Sequence, residues 1–261
     1  MDVIRIESKE NAFIKELKKL KEKKYRKQKN QFIVEGIRSV NEVLNSSYEI
    51  EYLLYSDKFE DKIDALLKNE KIKNVQFYNV TNDVLKLLCS TETPQGVVAI
   101  VNIKKFNIVD ELNGFYVLVD KVQDPGNIGA IIRSAHASGA KGVILTKGTV
   151  DVFNDKAFRS TMGSVFHIPI IEDDGVFIKK LKNNKFKFVV SSLQTDKNFF
   201  DVNLKDNLVI CVGNEGNGIS KEIYDLADIK VKIPMPGGAE SLNVAVASTV
   251  MMFEIVRQNM I

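Results

Sequence analysis

Hydrophobic positions in the first hundred residues fall into short β-type runs separated by segments of helical spacing: FIVEG (32–36) before IRSVNEVLN, EYLLYS (51–56) before KFEDKIDALLKN, VQFYNV (75–80) before TNDVLKLLC, then GVVAIVNI (96–103). Strands alternating with helices predict an α/β layer structure. Thr81 or Asn82 is suited to cap the last of these helices, and TETPQG (91–96) reads as the turn before the last strand. Upstream, Phe13, Leu17 and Leu20 recur at i, i+4 and i+7, the stripe of an amphipathic helix docked on a core.

KKFNIVDELNG (104–114) is polar and weakly periodic, and a boundary near 106 divides the chain into units 1–106 and 107–261. The second unit reads FYVLVD (115–120), a helix from about Asn127, GVILT (142–146), a short helix around DKAFRSTM, HIPII (167–171), a helix near VFIKKLKN, FKFVVSS (186–192), NLVICVG (207–213), a helix from Ser220, IKVKI (229–233) and a long C-terminal helix. Continuous apolar strands spaced by helices predict a parallel sheet. No internal repeat interrupts the pattern.

Composition changes this picture in one place. The 261 residues are 44% hydrophobic, enough for one large or two ordinary cores, and this excludes disorder of the whole chain. The net charge is only +3, yet residues 15–29 hold nine basic side chains and two acidic ones, so the remainder is net negative. A cluster of that kind attracts phosphates with an affinity that falls as salt rises; a solvated charged face is the alternative. Cys89 and Cys211 suggest neither a disulfide framework nor a metal cage, and fit a reducing compartment. MDVIRIESKE lacks a secretory layout and no apolar run approaches the ~18 residues of a membrane span, so a cytoplasmic protein is expected. Two histidines, His136 and His167, are expected to be structural, and no metal site is expected.

In parallel sheets ligands bind beyond the carboxyl ends of the strands, and three loops there are rich in Gly, Pro and small polar residues: 120–130, 212–220 and 233–243. In the first, Asp124-Pro125-Gly126 is a turn and Asn127 opens a helix carrying Arg133 six residues on. Asn127 as a plain N-cap and Arg133 as a surface charge is the competing explanation. The second, Gly213-Asn214-Glu215-Gly216-Asn217-Gly218, is not GxGxxG and lies late in the chain, which disfavours a dinucleotide-dependent oxidoreductase. No GxxxxGK[ST] is present, which disfavours a P-loop NTPase. The third joins Pro234 and Pro236 to Gly237-Gly238, and Glu240-Ser241-Leu242-Asn243 starts a helix of small residues; a simple turn capped by Ser241 has the same spelling.

Together these loops resemble the motifs of the SpoU (TrmH-like) family of RNA ribose methyltransferases, in the SPOUT superfamily: DKVQDPGNIGAIIRSA the first, VICVGNEGNGIS the second, IPMPGGAESLNVAVA the third. The resemblance extends over the N-terminal segment SKENAFIKELKKLKEKKYRKQKNQFIVEGIRSVNEVL and TETPQG, which is similar to the family's substrate-binding domain. It implies an N-terminal small α/β RNA-binding domain over 1–106 and an α/β SPOUT methyltransferase domain over 107–261, with a trefoil knot that binds S-adenosylmethionine and homodimers that share the site.

By the same resemblance, Arg133 activates the ribose 2′-hydroxyl, Asn127 and Glu215 organise the catalytic loop, and Ser241 and Asn243 lie near the reacting centre. Gly213, Asn214, Gly218, Ile233, Met235 and Leu242 fall where the cofactor is embraced. Lys18, Lys19, Lys23, Lys24, Arg26, Lys27, Arg38 and Arg159 are the expected RNA contacts. VAVA after SLN stands where some members have VSVA. A guanidinium is a poor proton acceptor, so Arg133 is expected to stabilise the forming alkoxide electrostatically. The expected activity is S-adenosylmethionine-dependent ribose 2′-O-methylation, with large-subunit ribosomal RNA as target. A transfer-RNA ribose methyltransferase and a non-catalytic RNA-binding or ribosome-assembly factor are the alternatives.

Overall fold

Each apolar run read as a strand is paired in the computed structural model, which describes residues 3–73, 75–106, 112–192 and 194–260. In chain order the first half contains β1 (Val3–Ile6), α1 (Ala12–Lys18), α2 (Lys23–Lys29), β2 (Gln31–Glu35), α3 (Ile37–Leu44), β3 (Ile50–Ser56), α4 (Glu60–Leu67), β4 (Gln76–Val80), α5 (Asn82–Leu88) and β5 (Val97–Asn102). The second half contains β6 (Phe115–Val119), α6 (Pro125–Ala137), β7 (Val143–Thr146), α7 (Asp155–Ser160), β8 (Ile170–Asp173), α8 (Val176–Asn183), β9 (Lys187–Ser191), β10 (Leu208–Val212), α9 (Lys221–Tyr224), β11 (Ile229–Val231) and α10 (Val244–Asn259). Two compact units result, 1–104 with 153–155, and 105–152 with 156–261. Residues 107–111, where the second unit was expected to begin, lie outside the described residues.

The first unit is a five-stranded sheet in the order β1-β4-β3-β5-β2. β1, β4 and β3 run parallel, and β5 lies antiparallel between β3 and β2. The expected amphipathic helix is present as α1 and the 3₁₀ turn Lys19–Lys21 that continues it, and Glu22, with extended backbone (φ −92°, ψ 131°), separates that turn from α2. Ile14, Leu17 and Leu20 are buried with Leu85 and Leu88 of α5, while Phe13 stacks on Tyr78 at 4.6 Å. Thr81 caps α5, its Oγ1 accepting from the Val84 amide at 3.3 Å. β1 was not anticipated: it is an edge strand of four residues with Val3 and Ile4 exposed, too short to leave a periodic signal.

The second unit is a six-stranded sheet, β11-β9-β10-β6-β7-β8, with every pairing parallel. FYVLV and LVICV are buried along their whole length, as central strands covered on both faces must be. From the adjacent pair β6 and β10 one wing runs out through β7 to β8 and the other through β9 to β11. In an open parallel sheet such a reversal marks the carboxyl ends of the strands as the usual place for a ligand crevice.

Two helix starts differ from expectation. The cap of α6 is Asp124, whose Oδ1 accepts the Asn127 amide at 2.8 Å, so Asn127 lies inside the first turn with its side chain available for other partners. The last helix begins at Val244, capped by Asn243, whose Oδ1 accepts from Ala245 at 2.9 Å and Val246 at 3.3 Å; Ser241 lies outside it.

Candidate active site

Three polar side chains, one from each loop, form a single chain of hydrogen bonds. Asn127 Nδ2 donates to Glu215 Oε1 at 2.9 Å, and Asn243 Nδ2 donates to Asn127 Oδ1 at 2.9 Å. Because Asn243 Oδ1 is occupied in capping α10, its amide orientation is fixed, and Asn127 must accept from Asn243 and donate to Glu215. Glu215 also accepts from the backbone amides of Asp124 (3.3 Å) and Gln123 (3.4 Å) and from Asn214 Nδ2 (3.4 Å). Partial burial raises the carboxyl pKa, but the bond from Asn127 and the backbone amides outweigh it, and Glu215 is held below the usual carboxylate range. The acid is therefore an ionised brace rather than a proton donor near neutral pH.

Beneath this chain Asp120, at the end of β6 and 1% exposed, fastens two further elements. Its Oδ1 accepts from Thr146 Oγ1 and its Oδ2 from the Ser220 amide, both at 2.7 Å. Ser220 precedes α9 without a side-chain cap bond of its own, and the carboxylate fixes its amide at the start of that helix. The second loop closes on itself through the Asn214 amide to Gly218 oxygen (2.8 Å) and the Gly218 amide to Asn214 oxygen (2.9 Å). Asn214 Nδ2 ties it to the Lys121 carbonyl at 2.9 Å. A Cβ on Gly213 would fall inside the van der Waals envelope of the Gly218 carbonyl and the Ile219 nitrogen, so only glycine fits there.

The second and third loops border a cavity of about 830 Å³ at the carboxyl ends of β9, β10 and β11. Its wall contains the apolar Val212, Ile233, Met235 and Leu242 and the polar Ser191, Ser192 and Asn214. That volume lies in the range of roughly 300–1,000 Å³ typical of small-molecule and cofactor sites.

Of the residues expected to act, Glu215, Ser241 and Asn243 line the cavity, and Asn127 reaches it through its bonds to two of them. The six expected cofactor contacts, Gly213, Asn214, Gly218, Ile233, Met235 and Leu242, all line it. Arg133 does not: it is exposed on α6 with no hydrogen-bond or ion-pair partner among the described residues. Lys18, Lys23, Lys24 and Arg38 are exposed in the first unit, as is Lys27, whereas Lys19 is paired with Glu16. Arg26 is placed differently from the other basic residues: it is 4% exposed and its guanidinium donates to the carbonyls of Leu20 (2.8 Å) and Lys21 (2.7 Å). It closes the turn before α2 and is withdrawn from the RNA contacts. Arg159 is exposed on α7 in the second unit.

Sequence reasoning missed Asp120, Asp124 and the pair Ser191-Ser192. The serines had a readable signal, small polar residues at the carboxyl end of the apolar run FKFVV; a lone aspartate after a strand has none. Among the described residues no helix is long and apolar enough to cross a membrane. Both cysteines are free and buried; burial pushes the Cys89 thiol up to about 12 and the Cys211 thiol upward as well.

Comparison with known proteins bears on the same loops. Residues 114–253 match the family model described as the SpoU rRNA methylase family, and residues 11–99 match an MRM3-like substrate-binding domain. The chain is 34% identical to the 23S rRNA (guanosine(2553)-2′-O)-methyltransferase RlmP of Bacillus subtilis, over 96% of this chain and 98% of that one. It is 31% identical to the 23S rRNA (uridine(2479)-2′-O)-methyltransferase of Streptomyces viridochromogenes, over 87% and 83%. An AdoMet-bound rRNA methyltransferase from Sinorhizobium meliloti superposes with a TM-score of 0.88 at 31% identity, covering 98% of each chain. The SpoU methyltransferase AviRb from Streptomyces viridochromogenes, in complex with AdoMet, superposes with a TM-score of 0.85 at 30% identity, covering 96% of this chain and 98% of that one. The sequence motifs, the parallel sheet with its crevice and the chain-length similarity agree: this protein belongs to the SpoU rRNA methylase family.

Proposed function

We propose that the protein transfers a methyl group from S-adenosylmethionine to a ribose 2′-hydroxyl of large-subunit ribosomal RNA. The observation that carries this reading is the Glu215–Asn127–Asn243 chain, which binds the three motif loops together beside the cavity. The residues present fit the cofactor. Gly213 lets the second loop pack closely on itself within the cavity wall, and Ile233, Met235 and Leu242 offer an apolar wall to a flat heterocycle. When bound, the cofactor supplies an activated methyl group on a sulfonium.

The chain's own residues provide positioning and charge. Glu215, Asn127 and Asn243 fix the loops so that the ribose oxygen can be held in line with the departing methyl. The Arg133 guanidinium, a donor-only cation, stabilises the developing alkoxide electrostatically, and the hydroxyl proton leaves to water rather than to the arginine. Arg133 is outside the cavity wall of one chain, and a second copy of the chain completes the site in this reading. Val246 and Phe253, 49% and 46% exposed and seven residues apart on α10, mark one face of the helix that packs on α6; this apolar stripe is the proposed dimer face. The first unit is the proposed RNA-binding domain, the second the catalytic one, and the trefoil-knotted C-terminal path belongs to the same reading.

The test is label transfer from methyl-labelled S-adenosylmethionine to unmodified 23S rRNA, run with Arg133→Lys alongside. The expected result is transfer by the native protein. The variant should retain cofactor affinity and lose kcat by at least about 100-fold, the scale of removing one preorganised electrostatic donor. Near-native turnover by Arg133→Lys contradicts the assigned role, and absence of label from RNA contradicts the function.

A further inference from the structure

The two segments that mark the first unit in sequence, Glu35-Gly36 and the TETPQG turn, meet at one edge of its sheet. β2 ends at Glu35, whose carboxylate accepts from the Ser90 amide (2.9 Å), the Thr91 amide (3.4 Å) and the Thr91 hydroxyl. The Gly36 amide donates to Val97 oxygen at 3.0 Å, so the turn and the start of α3 are held against each other. Gly36 precedes α3 with φ +90° and has no side chain with which to cap it. The acceptor comes instead from Gln95: its Oε1 receives the Ile37 amide at 3.1 Å, and a Cβ on Gly36 would lie 3.0 Å from that oxygen.

This bond fixes which way the Gln95 amide points. With Oε1 committed to Ile37, the remaining end of this exposed side chain is Nε2, carrying two N–H donors and no acceptor. Capping alone does not require an amide, because a carboxylate accepts the same bond and interacts better with the positive end of a helix. What glutamine adds over glutamate is an outward pair of donors. Arg38, one residue beyond Ile37, is exposed with no hydrogen-bond or ion-pair partner among the described residues. Lys21 reaches the adjoining loop, donating to Cys89 oxygen at 2.7 Å. Glu92 in the same turn is exposed, so directional hydrogen bonding rather than bulk positive charge distinguishes this edge.

We infer that Gln95 Nε2 and the Arg38 guanidinium form a donor-only clamp that receives acceptor atoms of the substrate RNA, either phosphate oxygens or the O6/N7 edge of a guanine. The inference rests on the proposed RNA substrate and adds the residues and polarity of one contact. An adenine read by a glutamine in bidentate fashion is excluded, because that pairing needs the oxygen already held by Ile37.

The test uses full-length protein and unmodified 23S rRNA transcript. Gln95→Glu keeps the cap on α3 but replaces the outward donors by an anion. It is expected to weaken RNA binding and raise the KM for RNA by at least about 10-fold, with kcat at saturating RNA, S-adenosylmethionine affinity and Tm unchanged or, for Tm, raised. Arg38→Ala should move the same RNA parameters in the same direction. A flatter salt dependence in the Arg38 variant assigns the acceptor as phosphate, and an unchanged slope assigns it as a base edge. Native RNA affinity in Gln95→Glu overturns the inference, as would a loss of affinity matched by a fall in Tm. If the native protein methylates 23S rRNA and Gln95→Glu does so with the same KM, only this inference fails; if the native protein neither binds nor methylates the RNA, the substrate reading fails with it.

Discussion

Asn127 donates to Glu215 at 2.9 Å while accepting from Asn243 at the same distance, so one amide joins segments 88 and 116 residues away. Its two ends have opposite polarity, and neither can be exchanged without cost. Asn127→Asp replaces the donor facing Glu215 by a carboxylate and sets two anions in contact. The expected outcome is a loss of kcat/KM of at least about 100-fold, partly restored in Asn127→Asp combined with Glu215→Gln, where the new amide donates in the reverse direction. Steady-state methyl transfer on the single and double variants checks this; strict additivity contradicts the coupling.

The depressed pKa of Glu215 makes the loop lock pH-dependent, with a defined sign. A carboxyl whose folded pKa lies below its unfolded value contributes stability that is fully present above the unfolded pKa, about 4.3 for Glu, and is lost as pH falls through the lower folded value. Thermal unfolding of native protein and Glu215→Gln should differ at pH 6 to 8 and converge as pH falls below about 4. A difference that grows on acidification would contradict the ionised brace.

Gly213 is needed because the loop backbone returns against it. In Gly213→Ala the added methyl must displace the Gly218 carbonyl or the Ile219 nitrogen, both main-chain atoms. Overpacking of this kind costs about 1–3 kcal/mol, and when the strain falls on a ligand-binding loop it appears as a roughly 5- to 150-fold loss of affinity. Calorimetric titration with S-adenosylmethionine is the measurement, with circular dichroism confirming the retained fold. Native affinity would show that the cavity beside Gly213 is not the cofactor site.

Arg26 and its lysine neighbours are equal in charge and unequal in role. Arg26→Ala removes two bonds to backbone carbonyls and is expected to cost about 1–3 kcal/mol of stability. Lys23→Ala with Lys24→Ala should leave Tm within about 1–2 °C and flatten the salt dependence of RNA binding. Denaturation and salt titration of the two variants separate these effects; a destabilised lysine variant would contradict the assignment.

What the sequence made legible follows from range. FYVLV and LVICV announce themselves as buried parallel strands because every residue must be apolar, and the glycines and prolines after each strand mark the loops. The order β11-β9-β10-β6-β7-β8 is not written locally, since it depends on which distant strands pair. Ser241 and Asn243 are both good capping residues two positions apart, and only the packing of α10 selects the second. The burial of Arg26 was hidden because a charge count treats arginine as lysine, and the two successive carbonyls that its Nη1 bonds come together only when the turn before α2 forms. Asp120 carries no periodic or motif signal, and its role emerges only when Thr146 and Ser220, 26 and 100 residues away, fold onto it.

Delivery of a methyl group to a ribose oxygen of ribosomal RNA is checked by incubating purified protein with S-adenosylmethionine and unmodified 23S rRNA, then mapping positions newly resistant to alkaline cleavage. One protected linkage should appear with native protein and disappear with Arg133→Ala. Methyl incorporation on a base with every linkage still cleavable, or an unchanged pattern, would contradict it.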